Sequence, residues 1–369
     1  MKIAIVSTIE NYSWAGTEEV WAQFALFSMK EGHEVLLLAH DKIASSEQVN
    51  NLKAQGLKIL SRKPFRPMRA YLMKERLWSD YHEFSKWNAD IILINSGSLY
   101  DVTNLPYVFN FVIKQTVPIV FFCHFVADMH TQQISGRLLN FIQSVNQFIF
   151  VSQHNLTLAE RQLAMPFKKS AVIMNQSKVY LKEPLFWPED DTVQFGCVAR
   201  FETLWKGQDV LLEVLASEVW KQRNWHLNLY GDGPDKVYIE KLISFYSLQN
   251  KVTIHGYVKD IETIWSRCHI NVMASRGEGT PLSVLEAMMC GRPIVVTDVG
   301  GNREIISPDE TGWIAEAATA YSFGKSLESA WQNQSRWKLM GIKASEHARM
   351  LTNKNAPEQL LKILTKTAN

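Results

Sequence analysis

Short runs of β-branched and aromatic residues alternate with helical patterns along most of the 369 residues. The run Ile-Val-Phe-Phe at 119–122 is apolar at every position, which is typical of a strand covered on both faces of a sheet. Residues 17–31 instead repeat apolar positions with the period of a helix. A helix between successive strands carries the chain back across the sheet, so this alternation predicts parallel sheets of an α/β protein.

The strands that this pattern predicts fall into two groups. In the first half they are Ile3–Ser7, Val35–Ala39, Ile91–Asn95, Ile119–His124, Gln147–Ser152 and Ala171–Asn175. In the second half they are Val193–Ala199, His226–Tyr230, Val252–His255, Ile270–Met273 and Ile294–Thr297. From about Tyr321 onward the pattern predicts helices alone.

A stretch with two prolines and an acidic cluster separates the two groups of strands. A chain of this length favours two domains, each with its own core. We predict a first domain at 1–178, a linker at 179–192 and a second domain at 193–350. A C-terminal helix at 351–369 is expected to pack back toward the first domain.

Composition narrows the class of protein. The chain is 46% hydrophobic and 21% charged with a net charge of +2, which favours a globular protein with no nucleic-acid partner. The N-terminus resembles no signal peptide and no long apolar run follows, so we expect a cytoplasmic protein. The cysteines are far apart without a C-x-x-C pair and are predicted to be buried, reduced thiols: Cys123, Cys197, Cys268 and Cys290.

Two basic residues follow the first predicted strand of the second half. Arg200 comes directly after that strand, and Lys206 with Gly207 precedes a predicted helix. Cations around a helix N-terminus form an anion site, because they add to the unpaired amides and the helix dipole. The alternative is a pair of solvated surface charges.

Two carboxylates, Glu278 and Glu286, stand eight positions apart in the second half. Pro281 is a good first helical residue, so the helix is predicted to start near it. Glu278 would then lie in the preceding loop, and Glu286 a little over one turn inside the helix. One carboxylate can accept hydrogen bonds from a sugar and the other from a ribose. The alternative is two exposed acids on one helix.

The first half offers weaker candidates. Gly16 follows the first strand and lets the chain approach a phosphate closely, and Thr17 is predicted to cap the next helix. His124 ends a predicted strand, where ligands bind in such folds. The alternatives are a plain turn and a satisfied core histidine.

These residues belong to a longer series of motifs. Five motifs follow one another from the first strand of the second half to residue 313. They are ARFETLWKG, LYGDGPD, TIHGYVKDIETIWSRCHI, EGTPLSVLEAMMCGRPIVVTDVGGNREII and TGW. In this order and with the E-x7-E element, the chain resembles the family-4 retaining glycosyltransferases of the GT-B fold. The first half resembles the family through a Gly-Thr-Glu loop, a His after a mid-domain strand, and VSQHN at 151–155. The resemblance implies two Rossmann-like parallel-sheet domains facing across a cleft.

The resemblance also implies residue roles. Arg200 and Lys206 would hold the donor diphosphate, Glu286 the ribose hydroxyls, and Glu278 the donor sugar together with His124. Further residues would contact other parts of the donor through their backbone or side chains. They are Gly16, Thr17, Gly256, Tyr257, Val258, Gly279, Thr280, Pro281 and Leu282. The sequence departs from the family at Ala15–Gly16, where two glycines are usual. It also departs after His124, where the usual His–Asp pair is missing and Asp128 and His130 follow later.

The implied reaction moves a hexose-type sugar, with retention, from a nucleoside-diphosphate sugar to a glycan, lipid-linked or small-molecule acceptor. No D-x-D follows a strand, so we expect no metal and no other cofactor, with the cations taking the metal's role. No carboxylate nucleophile is evident, which favours front-face attack. Dehydrogenase and serine-hydrolase glycine motifs are absent. A non-catalytic sugar-nucleotide-binding subunit and a phosphorylase or synthase stay open as alternatives.

Residues 62–78 contain six basic residues and one acidic residue, interleaved with aromatic and aliphatic side chains. Such a composition suits the anionic inner face of a membrane, so a peripheral membrane contact is one hypothesis. The alternative is a helix that packs its apolar side on the first domain and leaves the basic side in water.

Overall fold

The computed structural model describes residues 1–10, 14, 16–62, 81–128, 134–177, 179–352 and 355–369. The chain divides into two compact units. The first unit comprises Met1–Asn175 and Asn355–Asn369, and the second comprises Gln176–Lys354. Each unit contains one sheet, and every recorded strand pairing in the described part of the chain is parallel.

The first unit holds a seven-stranded sheet in the order β3-β2-β1-β4-β5-β6-β7. Its strands are β1 Lys2–Ser7, β2 Glu34–His40, β3 Lys58–Arg62, β4 Ile91–Ser96, β5 Ile119–Cys123, β6 Gln147–Phe150 and β7 Ser170–Val172. From β1 the chain first adds β2 and β3 on one side of the sheet, and then adds β4 to β7 on the other side. Ligands of such sheets bind at the carboxyl ends of the strands where the direction changes, here β1 and β4.

The second unit repeats this plan with six strands in the order β10-β9-β8-β11-β12-β13. They are β8 Val193–Val198, β9 Trp225–Tyr230, β10 Val252–Gly256, β11 Ile270–Met273, β12 Ile294–Thr297 and β13 Gly312–Ala315. The direction of the chain changes between β8 and β11, which pair directly at Phe195 and Ile270. This switch point is where a ligand site is expected in the second unit.

Helices connect the strands in both units. In the first unit they are Gly16–Lys30, Asp41–Ala44, Glu47–Lys53, Asp101–Asn104, Pro106–Val112, Gly136–Ser144, Gln153–Leu163 and Ala356–Ala368. In the second they are Thr203–Lys206, Gln208–Leu215, Glu218–Lys221, Lys236–Phe245, Ile261–Trp265, Leu282–Met289, Asn302–Ile305, Ala320–Gln332 and Trp337–Thr352, with a 3₁₀ turn at Gln334–Arg336. None of these described helices is long and apolar enough to cross a membrane.

The central strands of the first sheet are mostly apolar because both faces of the sheet are covered. Ala4 and Val6 of β1 join one buried cluster, while Ile3 and Ile5 join a second cluster on the opposite face. Successive side chains of a strand point to opposite faces, so one strand supplies both cores. This arrangement confirms the α/β class with two Rossmann-like parallel sheets.

Two edge strands were missed by the sequence pattern. β3 is a mixture of basic, polar and apolar residues, and only Arg62 at its end is buried. β13 is four residues long and begins with Gly312, whose added Cβ would lie 2.2 Å from the carbonyl oxygen of Ile294. β3 has no continuous apolar run, and β13 is very short, so the pattern that identifies buried strands did not detect them.

The segment predicted as a linker packs on the second unit. The Leu185 amide donates to the carbonyl of Cys290, and the buried Arg292 donates to the carbonyl of Phe186 at 2.7 Å. The Arg292 guanidinium also lies 5.3 Å from the centre of the Trp187 ring. These contacts explain why the second unit begins at Gln176, before the predicted boundary.

The C-terminal helix belongs to the first unit. Leu360 and Leu364 are buried in the same cluster as Trp21 and Phe24 of the helix that follows β1. The four cysteines are reduced and buried, as predicted, and burial raises the pKa of the Cys197, Cys268 and Cys290 thiols to about 12.

Candidate functional site

The second unit brings Lys206 and Glu278 together at the switch point of its sheet. The Lys206 ammonium lies 2.7 Å from Oε1 and 2.8 Å from Oε2 of Glu278, although 72 positions separate the two residues. The Glu278 side chain is 5% exposed and that of Lys206 is 25% exposed. A buried carboxylate needs a partner of this kind, because an unpaired charge is costly to bury. An ammonium group has three N–H donors, so Lys206 can also donate to an anion.

Lys206 lies at the end of a four-residue helix that other segments hold in place. The amide and hydroxyl of Thr203 both donate to the Asp235 carboxylate, at 2.7 and 2.8 Å. Gly207 follows with φ at +62°, and a Cβ there would lie 1.9 Å from the carbonyl oxygen of Ala274 after β11. Only glycine combines this backbone angle with so close an approach. The Lys206 segment is therefore fixed directly against the end of β11.

The loop that carries Glu278 is held from two sides. The Ser275 hydroxyl donates to Oε1 of Glu278 at 2.8 Å. Gly300 has φ at +53°, and a Cβ there would lie 2.2 Å from the Glu278 carbonyl oxygen. The amide of Gly301 donates to the carbonyl of Gly279 at 2.6 Å. The glycine pair after β12 thus allows the two loops to lie in contact.

Arg200 follows β8, as predicted. Its side chain forms an ion pair with Glu202 at 3.5 Å and is 36% exposed. Its carbonyl accepts a hydrogen bond of 2.7 Å from the buried Gln208 side chain, the first residue of the helix after Gly207. The backbone of Arg200 is therefore tied to the start of the helix that follows Lys206.

Glu286 lies inside the helix Leu282–Met289 and is 8% exposed. Pro281 is the cap residue of this helix and makes no side-chain cap bond. The predicted start near Pro281 and the loop position of Glu278 agree with this helix. Thr280 and Pro281 are buried, and Gly279 is half-buried.

The predicted base-contacting residues lie at the end of β10, the edge strand. Gly256 closes that strand with φ at +73°, and a Cβ there would meet nothing within 4 Å. Tyr257 is 79% exposed, and Val258 is half-buried. In the sheet order, β10 is separated from β8 by β9 alone.

In the first unit, one network joins the carboxyl ends of the strands at the switch point. The His124 ring nitrogen Nε2 lies 2.8 Å from Oδ1 of Asn95, at the end of β4. The amide nitrogen of the Asn95 side chain donates to the Thr17 carbonyl at 3.2 Å. Thus the predicted residues His124 and Thr17 are linked through Asn95, which the sequence analysis did not single out.

His124 is neutral around pH 7. Burial lowers its pKa to about 3, and a hydrogen bond with the Asn175 side chain acts in the opposite direction. The residue follows β5 instead of ending it, and its amide donates to the Ser96 carbonyl at 3.0 Å. Asp128 forms an ion pair with Arg161 at 2.7 Å, and His130 lies outside the described residues.

The prediction that Thr17 caps its helix is wrong. The helix begins at Gly16, so Thr17 is already its second residue, and its hydroxyl donates to Oε2 of Glu18 at 2.5 Å. Ser7 donates to the other oxygen of Glu18 at 3.0 Å. Burial raises the pKa of the Glu18 carboxyl, although both hydroxyls act to lower it. Ala15, which stands where the family usually has a glycine, lies outside the described residues.

The segment proposed to contact a membrane lies largely outside the described residues, which omit 63–80. Its first basic residue, Arg62, is buried, forms an ion pair with Glu10, and donates to the Ser7 carbonyl at 2.9 Å. Arg62 therefore stabilises the first unit and is not part of a basic surface. Elsewhere among the described residues, no group of three or more His, Cys, Asp or Glu side chains is arranged to hold a metal ion.

Comparison with known proteins shows what the second unit of this chain is similar to. Residues 192–333 match the family model described as glycosyl transferases group 1. N-acetyl-alpha-D-glucosaminyl L-malate synthase of Bacillus anthracis is 22% identical over 223 residues, which cover 57% of each chain. The chain thus spans little more than half of that relative's length.

Solved structures resemble the whole chain. Sucrose-phosphate synthase from Thermosynechococcus elongatus superposes with a TM-score of 0.77 at 17% identity and covers 99% of this chain and 98% of that one. Anabaena HepE in complex with UDP-glucose gives a TM-score of 0.76 at 16% identity, covering 99% of this chain and 100% of that one. The GT-B fold and the resemblance to glycosyltransferases are confirmed, and the roles of single residues stay predictions.

Proposed function

We propose that this chain, which has the GT-B fold, is a glycosyltransferase that transfers a sugar from a nucleoside-diphosphate sugar to an acceptor hydroxyl. The observation that carries the proposal is the contact between Lys206 and the buried Glu278 at the switch point of the second sheet. This contact joins the cation that we propose for the diphosphate to the carboxylate that we propose for the sugar hydroxyls. HepE, which has the same fold, has been solved with UDP-glucose.

In the proposed mechanism, Arg200 and Lys206 bind the diphosphate of the donor. Negative charge grows on that group as the sugar leaves, and fixed cations stabilise the transition state more than the ground state. We propose that these cations take the role that a metal ion has in other glycosyltransferases. Glu278 accepts hydrogen bonds from the sugar, and Glu286 accepts them from the ribose.

The finer points of the reaction are proposals that rest on the resemblance. The transferred sugar is of hexose type, and its anomeric configuration is retained through front-face attack, in which the leaving phosphate oxygen takes the acceptor proton. From the first unit, His124 is the candidate for a contact to the sugar. A neutral imidazole can donate one hydrogen bond and accept another, but carries no charge to stabilise the leaving group.

A donor screen tests the proposal. Uridine, guanosine and adenosine diphosphate sugars are incubated with the protein and a panel of glycan, lipid-linked and small-molecule acceptors, and the released nucleoside diphosphate is measured. At least one donor should be turned over, and its product should keep the anomeric configuration of the donor. Tight binding of a donor without turnover with any acceptor would favour the non-catalytic subunit instead.

A further inference from the structure

The Glu278 loop is joined to the Lys206 helix by an arginine that the E-x7-E pattern does not include. Arg276 donates from Nη1 to Oδ1 of Asp209 and from Nη2 to Oδ2, both at 2.8 Å. The same Nη1 donates to the Thr203 carbonyl at 2.7 Å. One guanidinium group thus contacts the first residue of the helix Thr203–Lys206 and the first turn of the helix that follows it.

The backbone of the same residue makes a second connection. The amide of Arg276 donates to the Trp205 carbonyl at 2.8 Å, and the amide of Gly277 donates to it at 3.3 Å. Trp205 and Thr203 flank one turn that ends in Lys206. The Glu278 loop is therefore bonded to this turn at both of its ends, once through the side chain and once through the backbone.

The turn depends on such bonds. A four-residue helix closes few hydrogen bonds of its own and is not stable by itself. Two parallel N–H···O bonds between a guanidinium and a carboxylate fix distance as well as angle. The Asp209 carboxylate also raises the pKa of Arg276, so the arginine stays charged.

We propose that Arg276 is a positioning residue, which sets the place of the Lys206 ammonium relative to Glu278 and thereby orders the diphosphate and sugar contacts. The role in binding rests on the proposed function, whereas the effect on Lys206 itself does not. Arg276 acts through Lys206 and makes no contact with the donor. A displacement of about 1 Å at such a group lowers turnover by about 100-fold.

The chain contains a matched control. Arg223 forms the same kind of two-bond pair with Glu328, at 2.6 and 2.8 Å, in the same unit. It packs on the Trp220 ring at 4.3 Å and makes no recorded contact with the Lys206 turn or the Glu278 loop within the described residues. Arg276→Ala and Arg223→Ala therefore remove equivalent ion pairs, only one of which joins the two site segments.

The first experiment needs no substrate. Acetylation of Lys206 by an amine-reactive acetyl ester is followed by mass spectrometry in the full-length wild type and in both variants. Arg276→Ala should speed acetylation of Lys206 severalfold because the ammonium loses its fixed place against Glu278, and Arg276→Lys should lie between it and the wild type. Arg223→Ala should leave the rate unchanged. Equal rates in the wild type and Arg276→Ala would overturn the proposal even if the protein is a glycosyltransferase.

The second experiment separates positioning from direct contact. Calorimetric titration with uridine, guanosine and adenosine diphosphate identifies the nucleotide that the wild type binds. Arg276→Ala should raise its Kd about tenfold and lower kcat/KM for the donor about 10- to 100-fold, but in a Lys206→Ala background it should change Kd less than about twofold. A full effect in that background would mean that Arg276 acts independently of Lys206 and would contradict the proposal. If no nucleotide binds to the wild type, the proposed function fails, while the acetylation result still decides the role of Arg276.

Discussion

At the scale of single residues, opposite charges separated along the chain meet at one edge of a sheet. Lys206 and Glu278 form such a contact at 2.7 Å, and Arg200 pairs with Glu202 in the segment that also carries Lys206. Arg200, Lys206 and Glu278 were recognisable from the sequence because strand ends and glycine-containing loops mark ligand sites. The residues that hold the candidate sites in place were not recognisable, because they become relevant only in the fold: Ser275 binds Glu278, Asp209 binds Arg276, and Asn95 binds His124.

Substitution of the two carboxylates of the site should affect different steps, Glu286 the binding of the nucleotide and Glu278 the turnover. Glu286→Ala should raise the Kd for the nucleoside diphosphate about tenfold, because hydrogen bonds to a charged group contribute about 1.5–3 kcal/mol. Glu278→Ala should instead lower kcat about 100-fold while binding of the diphosphate persists, since Lys206 keeps its charge and Arg276 still holds its turn in place. Calorimetry and turnover assays separate the two effects. Wild-type affinity in Glu286→Ala would refute the ribose role.

The buried neutral His124 should make the protein less stable in acid. Its pKa is about 3 in the folded chain against an ordinary value of 6.5, so below pH 6.5 the unfolded chain binds a proton that the folded chain does not. Stability is therefore lost as the pH falls, by about 2 kcal/mol between pH 7 and 5. His124→Asn should remove this part of the pH dependence of urea unfolding.

His82→Asn supplies the control, because it makes the same replacement at an exposed position. Glu18 and Asp101 act in the opposite direction: burial raises their pKa, so they stabilise the folded chain as the pH falls. Glu18 and Asp101 are present in the wild type and in both variants. The comparison of the three proteins therefore isolates the contribution of His124 to the pH dependence. A steeper acid loss in His124→Asn than in the wild type would contradict a neutral His124.

At the scale of elements, the loops of the second unit are placed by close backbone contacts. Gly207 and Gly300 both have positive φ, and each lies against a backbone carbonyl of a neighbouring segment. The sequence predicted where the central strands and the Glu278 helix lie, because a strand buried on both faces is apolar at every position. It did not predict the edge strands β3 and β13, nor the contact between Gly300 and the Glu278 loop, since neither leaves a pattern along the chain.

Gly300→Ala should disturb the site more than the strain of an alanine at positive φ would by itself. The new Cβ would lie 2.2 Å from the Glu278 carbonyl oxygen, so the Glu278 loop must shift. Gly32→Ala is the matched control: φ there is +80°, but no atom lies within 4 Å of the added Cβ. Gly32→Ala should cost about 1–2 kcal/mol of stability through its backbone angle. Gly300→Ala should cost more, because backbone atoms must also move, and only Gly300→Ala should lower kcat/KM. Equal activity of the two variants would show that the loop tolerates displacement.

At the scale of the whole molecule, two units repeat one plan, and candidate residues follow the strands at the switch point in each. The alternation of strands and helices was sufficient to predict this plan from the sequence.

The proposed use of side-chain cations predicts a reaction that is insensitive to chelators. Turnover should be unchanged by excess EDTA, because Arg200 and Lys206 neutralise the diphosphate. The rate is measured before and after addition of EDTA and again after addition of magnesium or manganese. A rate that EDTA abolishes and either metal restores would refute this part of the mechanism.

The most direct test of the central claim is release of nucleoside diphosphate from the preferred donor by the wild type, Arg200→Ala, Lys206→Ala and the control Arg223→Ala. If the cations stabilise the departing diphosphate, each site variant should lose about 100- to 1,000-fold in kcat. Arg223→Ala should stay within about twofold of the wild type, because its ion pair with Glu328 lies outside the site and sites without shared partners act independently. Turnover near the wild-type rate in both Arg200→Ala and Lys206→Ala would contradict the account.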